Sequence, residues 1–490
     1  MKYILAIDQG TTSTRALIFN KSGELLYKSQ QEVKCLFPIE GWVEQNALDI
    51  WLSVLNVVND VFAKNNLTFD EIDSIGITNQ RETTVIWDKK TGMPIYNAIV
   101  WQSRQSSIYC DKWEKYKELI HSKTGLILNP YFSASKIRFI LDHVKDGQQR
   151  AEKGELMFGT IDSWLIYRLT KGKVHKTDVT NASRTMFYNI NSMEYDDELL
   201  KIFNIPKCIL PEVCDCNSLF GYASIFDDRL KINAVAGDQQ AALFGQNCFN
   251  KGDSKSTYGT GCFMLVNIGD TPIFSKKGLI TTIAWRINGK TIYALEGSVF
   301  MGGATIQWLR DQLEIIKEAK ETEELALKAK TDLGVYVIPA FVGLGAPYWD
   351  DECKGAIFGI TRGTTKNHLI RATLNSIALQ VKDIYDVMEV EGDLKVSVLK
   401  VDGGATANNY LMQFQSDILK KKIILPKCLE TTALGVAYLA GLGCGFFNDI
   451  NEIRHIHRCD KEFLPKMSDD EVNDKVSKWK KAIEITRMYK

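Results

Sequence analysis

The chain has 490 residues, of which 45% are hydrophobic and 24% charged, with 60 basic and 60 acidic side chains. That balance excludes a disordered polymer, and a neutral chain lacks the broad positive field that nucleic acid or an anionic membrane rewards. At about 150 residues per domain, the length calls for more than one core.

Eleven cysteines are scattered without a CxxC repeat, the pattern of free thiols in a reducing cytosol. Asp8 interrupts the apolar N-terminal run, so no secretory signal is expected. No stretch approaches the ~18 apolar residues of a membrane span. A cytoplasmic protein is the expectation. Asn66 and Asn181 open sequons that such a protein would never use.

Residues 3–8 (YILAID) predict a buried strand and 14–19 its partner, joined by a Gly-Thr-Thr-Ser turn. Residues 47–63 carry apolar positions at helical spacing, and 73–78 read as a strand. Strand 232–236 runs into a helix opening at Asp238. A second strand–turn–strand, KSTYGTGCFMLVNIG, spans 255–269. The two halves thus begin alike, which suggests a duplication divided near 247–253. Residues 311–332 read as a solvated helix face with Glu/Lys pairs. Strands follow at 335–340 and 399–401, and helices at 370–390, 408–419 and after the capping box at Ser468. Such alternation predicts α/β layering.

Five motifs carry chemistry. Residues 8–15 (DQGTTSTR) put an Asp at a strand end before a turn whose N–H groups suit phosphate oxygens. Arg15 adds a charge-assisted donor and Asp8 a carboxylate suited to hydrated Mg²⁺. Residues 79–83 (NQRET), with Trp101 and Tyr131, offer donors, acceptors and aromatic cover for a polyol. Residues 236–240 (AGDQQ) place Asp238 where a carboxylate accepts a hydroxyl proton. Residues 258–261 (YGTG) and 401–408 (VDGGATAN) are glycine turns that let a nucleotide approach backbone. Each has a plain alternative: a hairpin turn, a surface salt bridge beside core aromatics, an N-cap Asp, a strand-to-helix turn. His455 and His457 lack carboxylate or cysteine at ligand spacing, so no metal is expected there. Walker A and GxGxxG patterns are absent.

Taken in order, these motifs together with GDQQAALFGQ (237–246) and GLGAPYWD (343–350) resemble the carbohydrate kinases, in their glycerol-phosphorylating branch, over essentially the whole chain. Residues 131–143 and 355–374 resemble the family's two signatures. The resemblance implies two actin-like (ribonuclease H-like) domains, 1–247 and 248–490. Each would carry a five-stranded mixed sheet flanked by helices, with a cleft between.

It further implies ATP and Mg²⁺ as cofactors and glycerol as substrate. Arg81, Glu82, Trp101, Tyr131, Asp238, Gln239 and Phe263 would line the glycerol pocket, with Asp238 as general base. Thr11, Thr12, Ser13 and Arg15 would meet the phosphates, Asp8 the metal through water. Thr260, Gly303, Gln307, Gly404 and Asn408 would meet the rest of the nucleotide. A homo-oligomer, dimer or tetramer, is implied, without nucleic acid or membrane. Phe139 stands where the first signature has Trp, and Asn375 where the second has an acid. The glycine-rich loop before Arg229, a phosphorylated histidine and a C-terminal docking segment found in some relatives are missing, so control by fructose 1,6-bisphosphate and by sugar-transport proteins is not expected. Rival readings are a kinase for another polyol or sugar on this fold, and a non-enzymatic ATP-binding protein.

Overall fold

The computed structural model describes residues 2–456 and 459–489. Its framework follows from alternation of buried strands and amphipathic helices. The first half contributes β1 (Tyr3–Gln9), β2 (Ser13–Phe19), β3 (Leu25–Glu32), α1 (Ala47–Asn65), β4 (Ile72–Asn79), α2 (Ser133–His143), α3 (Val179–Ala182), β5 (Lys231–Gly237) and α4 (Asp238–Gly245). The second half contributes β6 (Ser254–Tyr258), β7 (Cys262–Gly269), β8 (Lys290–Val299), α5 (Gly303–Asp311), α6 (Glu321–Lys328), α7 (Lys366–Gly392), β9 (Val398–Asp402), α8 (Asn409–Leu419), β10 (Lys422–Pro426), α9 (Thr431–Cys444) and α10 (Asp469–Met488).

The two main sheets share one plan. In the first, β3, β2 and β1 pair antiparallel, and β1, β4 and β5 run parallel. In the second, β8, β7 and β6 pair antiparallel, and β6, β9 and β10 run parallel. The duplication expected from the two hairpins is therefore a duplication of strand order. Each sheet holds the expected five strands and adds edges: Gly221–Tyr222 makes the first six-stranded, while Ile280–Ile287 and Cys459–Phe463 make the second seven-stranded.

Strand register delivers the motifs. Gln9 lies opposite Asn79, and Asn79 opposite Gly237. The residues that follow, Gly10, Gln80–Arg81 and Asp238, leave the same sheet edge, where parallel strands present their carboxyl ends to ligands. Thr257 lies opposite Asp402 in the second sheet, so the YGTG and DGG turns are neighbours for the same reason.

Two helices tie the sheets together. α9 comes from the second half yet packs on β4, β5 and β1 of the first sheet and on α4. The crossing is close: a methyl on Gly435 would lie 1.8 Å from the Ala241 carbonyl oxygen, and one on Gly245 2.0 Å from that of Thr431. Only glycine permits that approach.

The solvated helix expected over 311–332 is corrected. α5 ends at Asp311, α6 begins at Glu321, and Glu314 between them has φ +53°. Ile316 is buried in the core, and sinking it bends the chain out of the helix. All eleven cysteines are free thiols. Among the described residues, no helix is long and apolar enough to cross a membrane. Asn181 is fully buried, which makes its sequon inaccessible.

Candidate functional site: a buried charge cluster beside a nucleotide-sized cavity

Arg81, just past β4, is 3% exposed. Its Nη1 and Nη2 donate to the two Glu296 oxygens at 2.7 and 2.8 Å, a bidentate pair that reaches from the first sheet to β8 of the second. Its Nη1 also donates to Gln240 Oε1 at 3.2 Å, and its Nε lies 3.2 Å from Asp238 Oδ1. Arg184, directly after the α3 segment, donates to Glu82 Oε1 at 2.5 Å and to Glu296 at 3.2 and 3.3 Å.

Burial alone would raise the Glu296 carboxyl, but the Arg184 and Arg81 guanidiniums outweigh it and hold the group at about 2. Burial raises Glu82 against the pull of Arg184 and Arg81. The Glu82 backbone has φ +56°, a strained conformation of the kind that gathers at functional sites.

Asp238 opens α4. Its Oδ1 accepts from the Gln239 N–H at 2.7 Å, and its side chain keeps 29% exposure. Burial raises its carboxyl, opposed by Arg81 and Lys255. The Gln239 side chain turns to Lys255, whose Nζ donates to Oε1 at 2.5 Å. An Asp178-capped α3 braces this strand end: the Thr180 N–H donates to Asp178 Oδ2 at 2.9 Å, and Thr180 Oγ1 accepts from Gly237 N–H at 2.9 Å.

Aromatic rings close one side. Trp101 meets Tyr131 edge-on at 5.5 Å and Phe263 at 6.0 Å, and the Arg184 guanidinium lies 5.6 Å from the Tyr131 ring centre. Phe263, Trp101, Tyr131, Arg184, Glu82, Arg81, Asp238 and Gln239 thus form one unbroken series of contacts. All seven residues expected to line a glycerol pocket belong to this series.

Trp101 also leads to the Gly10–Ser13 turn: its Nε1 donates to Thr11 Oγ1 at 2.9 Å. The turn is closed by Gly10 N–H to Ser13 carbonyl at 2.9 Å, and Thr12 at its tip is exposed. Arg15, opposite Asp8 in the hairpin, lies 3.5 Å from Asp8 Oδ2 and 3.0 Å from Glu430 Oε2. Its Nε is buried and has no hydrogen-bond partner among the described residues. Burial pushes the Asp8 carboxyl up to about 6 against the pull of Arg15, with Glu430 and Asp238 adding to the rise.

A cavity of about 490 Å³ is lined by Thr260, Gly303, Gln307, Gly404 and Asn408 among others. Five residues drawn from three separated segments of sequence converge there. The volume falls within the ~300–1,000 Å³ of small-ligand sites. Gly404 offers open space: a Cβ there meets nothing within 4 Å. Lys320, Thr322 and Glu323 also line the cavity, so the segment expected to be a mere solvated face is part of its wall. Asn408 Nδ2 donates to Thr322 Oγ1 at 3.1 Å and anchors that wall.

The sequence reading missed Glu296, Arg184 and Lys255. Glu296 and Arg184 act on partners 215 and 102 residues away, which no local motif marks, and Lys255, 16 residues from Gln239, opens a hairpin strand whose spacing does not show its partner. Among the described residues, no three His, Cys, Asp or Glu side chains gather to hold a metal. A lone carboxylate such as Asp8 suits Mg²⁺, which keeps most of its water and takes phosphate oxygens. His457 lies outside the described residues, so the HIH segment is not placed.

A duplicated mixed sheet, strand ends that deliver hydroxyl-rich turns and a half-buried acid, and a cavity of small-ligand size define the two-lobed sugar-kinase class. The chain belongs to the FGGY family of carbohydrate kinases, whose N-terminal domain matches residues 3–245 and whose C-terminal domain matches 255–444. It is 54% identical to the glycerol kinase of Fusobacterium nucleatum subsp. nucleatum, over the full length of both chains. The glycerol kinase of Bacillus licheniformis is also 54% identical, again with full coverage of both chains. The crystal structure of Plasmodium falciparum glycerol kinase with ADP superposes with a TM-score of 0.92 at 36% identity, covering 99% of this chain and 98% of that one.

Proposed function

We propose that this chain transfers the γ-phosphoryl group of ATP to glycerol, giving sn-glycerol 3-phosphate and ADP. The single observation that carries the reading is the contact series around Arg81 and Asp238, which joins every residue expected at the glycerol pocket. Full-length identity to glycerol kinases supports the choice of alcohol.

In this reading Arg81 and Glu82 hold the hydroxyls that are not phosphorylated. The Arg184 and Glu296 partners fix both side chains before substrate arrives, so little ordering is left to the binding step. Trp101, Tyr131 and Phe263 pack on the three-carbon chain and set its length. Gln239, steadied by Lys255, adds a polar contact.

The remaining primary hydroxyl then faces Asp238. As its oxygen bonds to the γ-phosphorus, its proton passes to the Asp238 carboxylate and the bond from phosphorus to the ADP oxygen breaks. The transition state is loose, so alignment does much of the work. Thr11, Thr12 and Ser13 offer turn N–H and hydroxyl groups to the phosphates, and the spare Arg15 Nε–H suits the same anion. Asp8 would hold Mg²⁺ through water. The ion, when bound, neutralises phosphate charge and orients the phosphates. Thr260, Gly303, Gln307, Gly404 and Asn408 hold the nucleoside end.

The lobes run 1–247 and 248–490, with α9 crossing back. The protein is cytoplasmic and homo-oligomeric, a point that light scattering decides. A coupled assay with ATP against glycerol, xylulose, gluconate and erythritol tests the whole reading. Turnover confined to glycerol is expected; turnover only with another polyol, or hydrolysis indifferent to the alcohol, overturns it.

A further inference from the structure

Lys136, in the first turns of α2, is among the largest fully buried side chains in the molecule. Its Nζ donates to three consecutive carbonyls: Pro130 at 2.8 Å, Tyr131 at 2.5 Å and Phe132 at 3.2 Å. The same turn is gripped from its other side, where the Tyr131 N–H donates to Asn129 Oδ1 at 2.9 Å. Both peptide groups of Tyr131 are therefore held.

A lysine is a costly way to fill this volume. The ammonium is desolvated, and it sits near a helix N-terminus, whose dipole disfavours a cation. Burial drags the amine down to about 7, with Glu82 and Cys110 the facing groups that oppose the fall. A methionine would fill the same space without that cost. What lysine supplies is donors that converge on one turn, three as the ammonium and two as the neutral amine. That turn carries Tyr131, whose ring stands against Trp101 and Arg184.

We propose that Lys136 is a positioning residue for the polyol site: by clamping the 130–132 turn it sets the depth at which Tyr131 meets the substrate. The inference rests on the glycerol reading, in which Tyr131 forms part of the pocket wall.

Lys136→Met keeps the stem and removes the donors. Its glycerol KM is expected to rise roughly tenfold while its ATP KM stays within about twofold of wild type. If Lys136 acts through Tyr131, the two changes overlap: on a Tyr131→Ala background, Lys136→Met adds less than about twofold. Equal rises in both KM values, or full additivity with Tyr131→Ala, overturns the inference.

Lys136→Gln, which keeps an amide donor on a shorter stem, stands in should the Met variant fail to fold, with the same KM split expected. Failure of both to fold overturns the inference, because a positioning residue leaves the scaffold standing. Tyr131→Ala measured alone separates this inference from the reading beneath it. A raised glycerol KM there, with an unchanged one in Lys136→Met, overturns only the role of Lys136. An unchanged KM in Tyr131→Ala removes Tyr131 from the pocket and this inference with it.

Discussion

The two parts of the candidate site are made of opposite materials. Around Arg81 the walls are buried charges, each held by another charge from a distant segment. Around the 490 Å³ cavity the walls are glycine turns and apolar or amide side chains, and none of the charged side chains there, Arg310, Lys320 and Glu323, is buried. A charge cluster is unforgiving, because loss of one partner strands another in a dry interior. A backbone-lined cavity is set by shape and answers to added volume rather than lost charge. Mutations should therefore separate the two cleanly.

The largest expected effect breaks the charged part at its chemical centre. Asp238→Asn should lower kcat by about 10²–10⁴-fold while calorimetry still detects glycerol binding. Turnover like wild type would remove Asp238 as base. The pH profile gives an independent check. Burial raises the Asp238 carboxyl, and only its ionised form accepts a proton. Activity should thus fall on acidification through a value above the ordinary carboxylate range, and that acid limb should vanish from the residual activity of Asp238→Asn.

Next in size is Arg81→Ala, which should raise the glycerol KM about 100-fold and the ATP KM less than about fivefold. It should also cost about 3–5 kcal/mol of stability, since Glu296 keeps Arg184 alone. Chemical denaturation measures that loss. Equal rises in both KM values would place Arg81 outside the polyol pocket.

How legible each part was follows from the same contrast. Arg81, Glu82 and Asp238 were readable because each follows a strand end, and the register brings those ends together. Gly404 and Thr260 were readable because a glycine turn at a strand end lets a ligand come close to backbone, although a plain turn accounts for the same residues. Glu296 was not: it lies in an ordinary strand, 215 residues from the arginine it binds. Arg184 follows a four-residue helix with no motif of its own. Lys136 sits inside a stretch recognised as a family signature, yet spacing says nothing of three carbonyls folded back over its amine. The strand order was half visible in the repeated hairpin. The edge strand Gly221–Tyr222 was not, because two residues carry no period. The bend between α5 and α6 was hidden by charge pairs that fit a continuous helix, while one buried isoleucine decided against it.

The cavity side calls for the opposite kind of change. Gly404→Val should raise the ATP KM about tenfold and leave the glycerol KM unchanged, since the new side chain points into open space and needs no backbone adjustment. An unchanged ATP KM would mean the nucleotide avoids this wall.

The smallest expected effect tests where the two parts touch. Trp101 packs on Tyr131 and Phe263 on the charged side, while its Nε1 donates to Thr11 in the phosphate turn at 2.9 Å. Trp101→Phe keeps an aromatic face and removes that N–H. A neutral hydrogen bond contributes about 1 kcal/mol, which is roughly fivefold in an equilibrium constant. If the bond carries information between the sites, the loss should fall on their coupling. Glycerol should bind wild type tighter with a non-hydrolysable ATP analogue present, and the variant should lose up to about fivefold of that gain. Coupling is reciprocal, so glycerol should lose the same factor in its effect on the analogue. Titration in both orders makes the test internally consistent. A variant that weakens glycerol by the same factor with or without the analogue would show that the indole serves only as a wall, and that the charged cluster and the cavity bind their ligands independently.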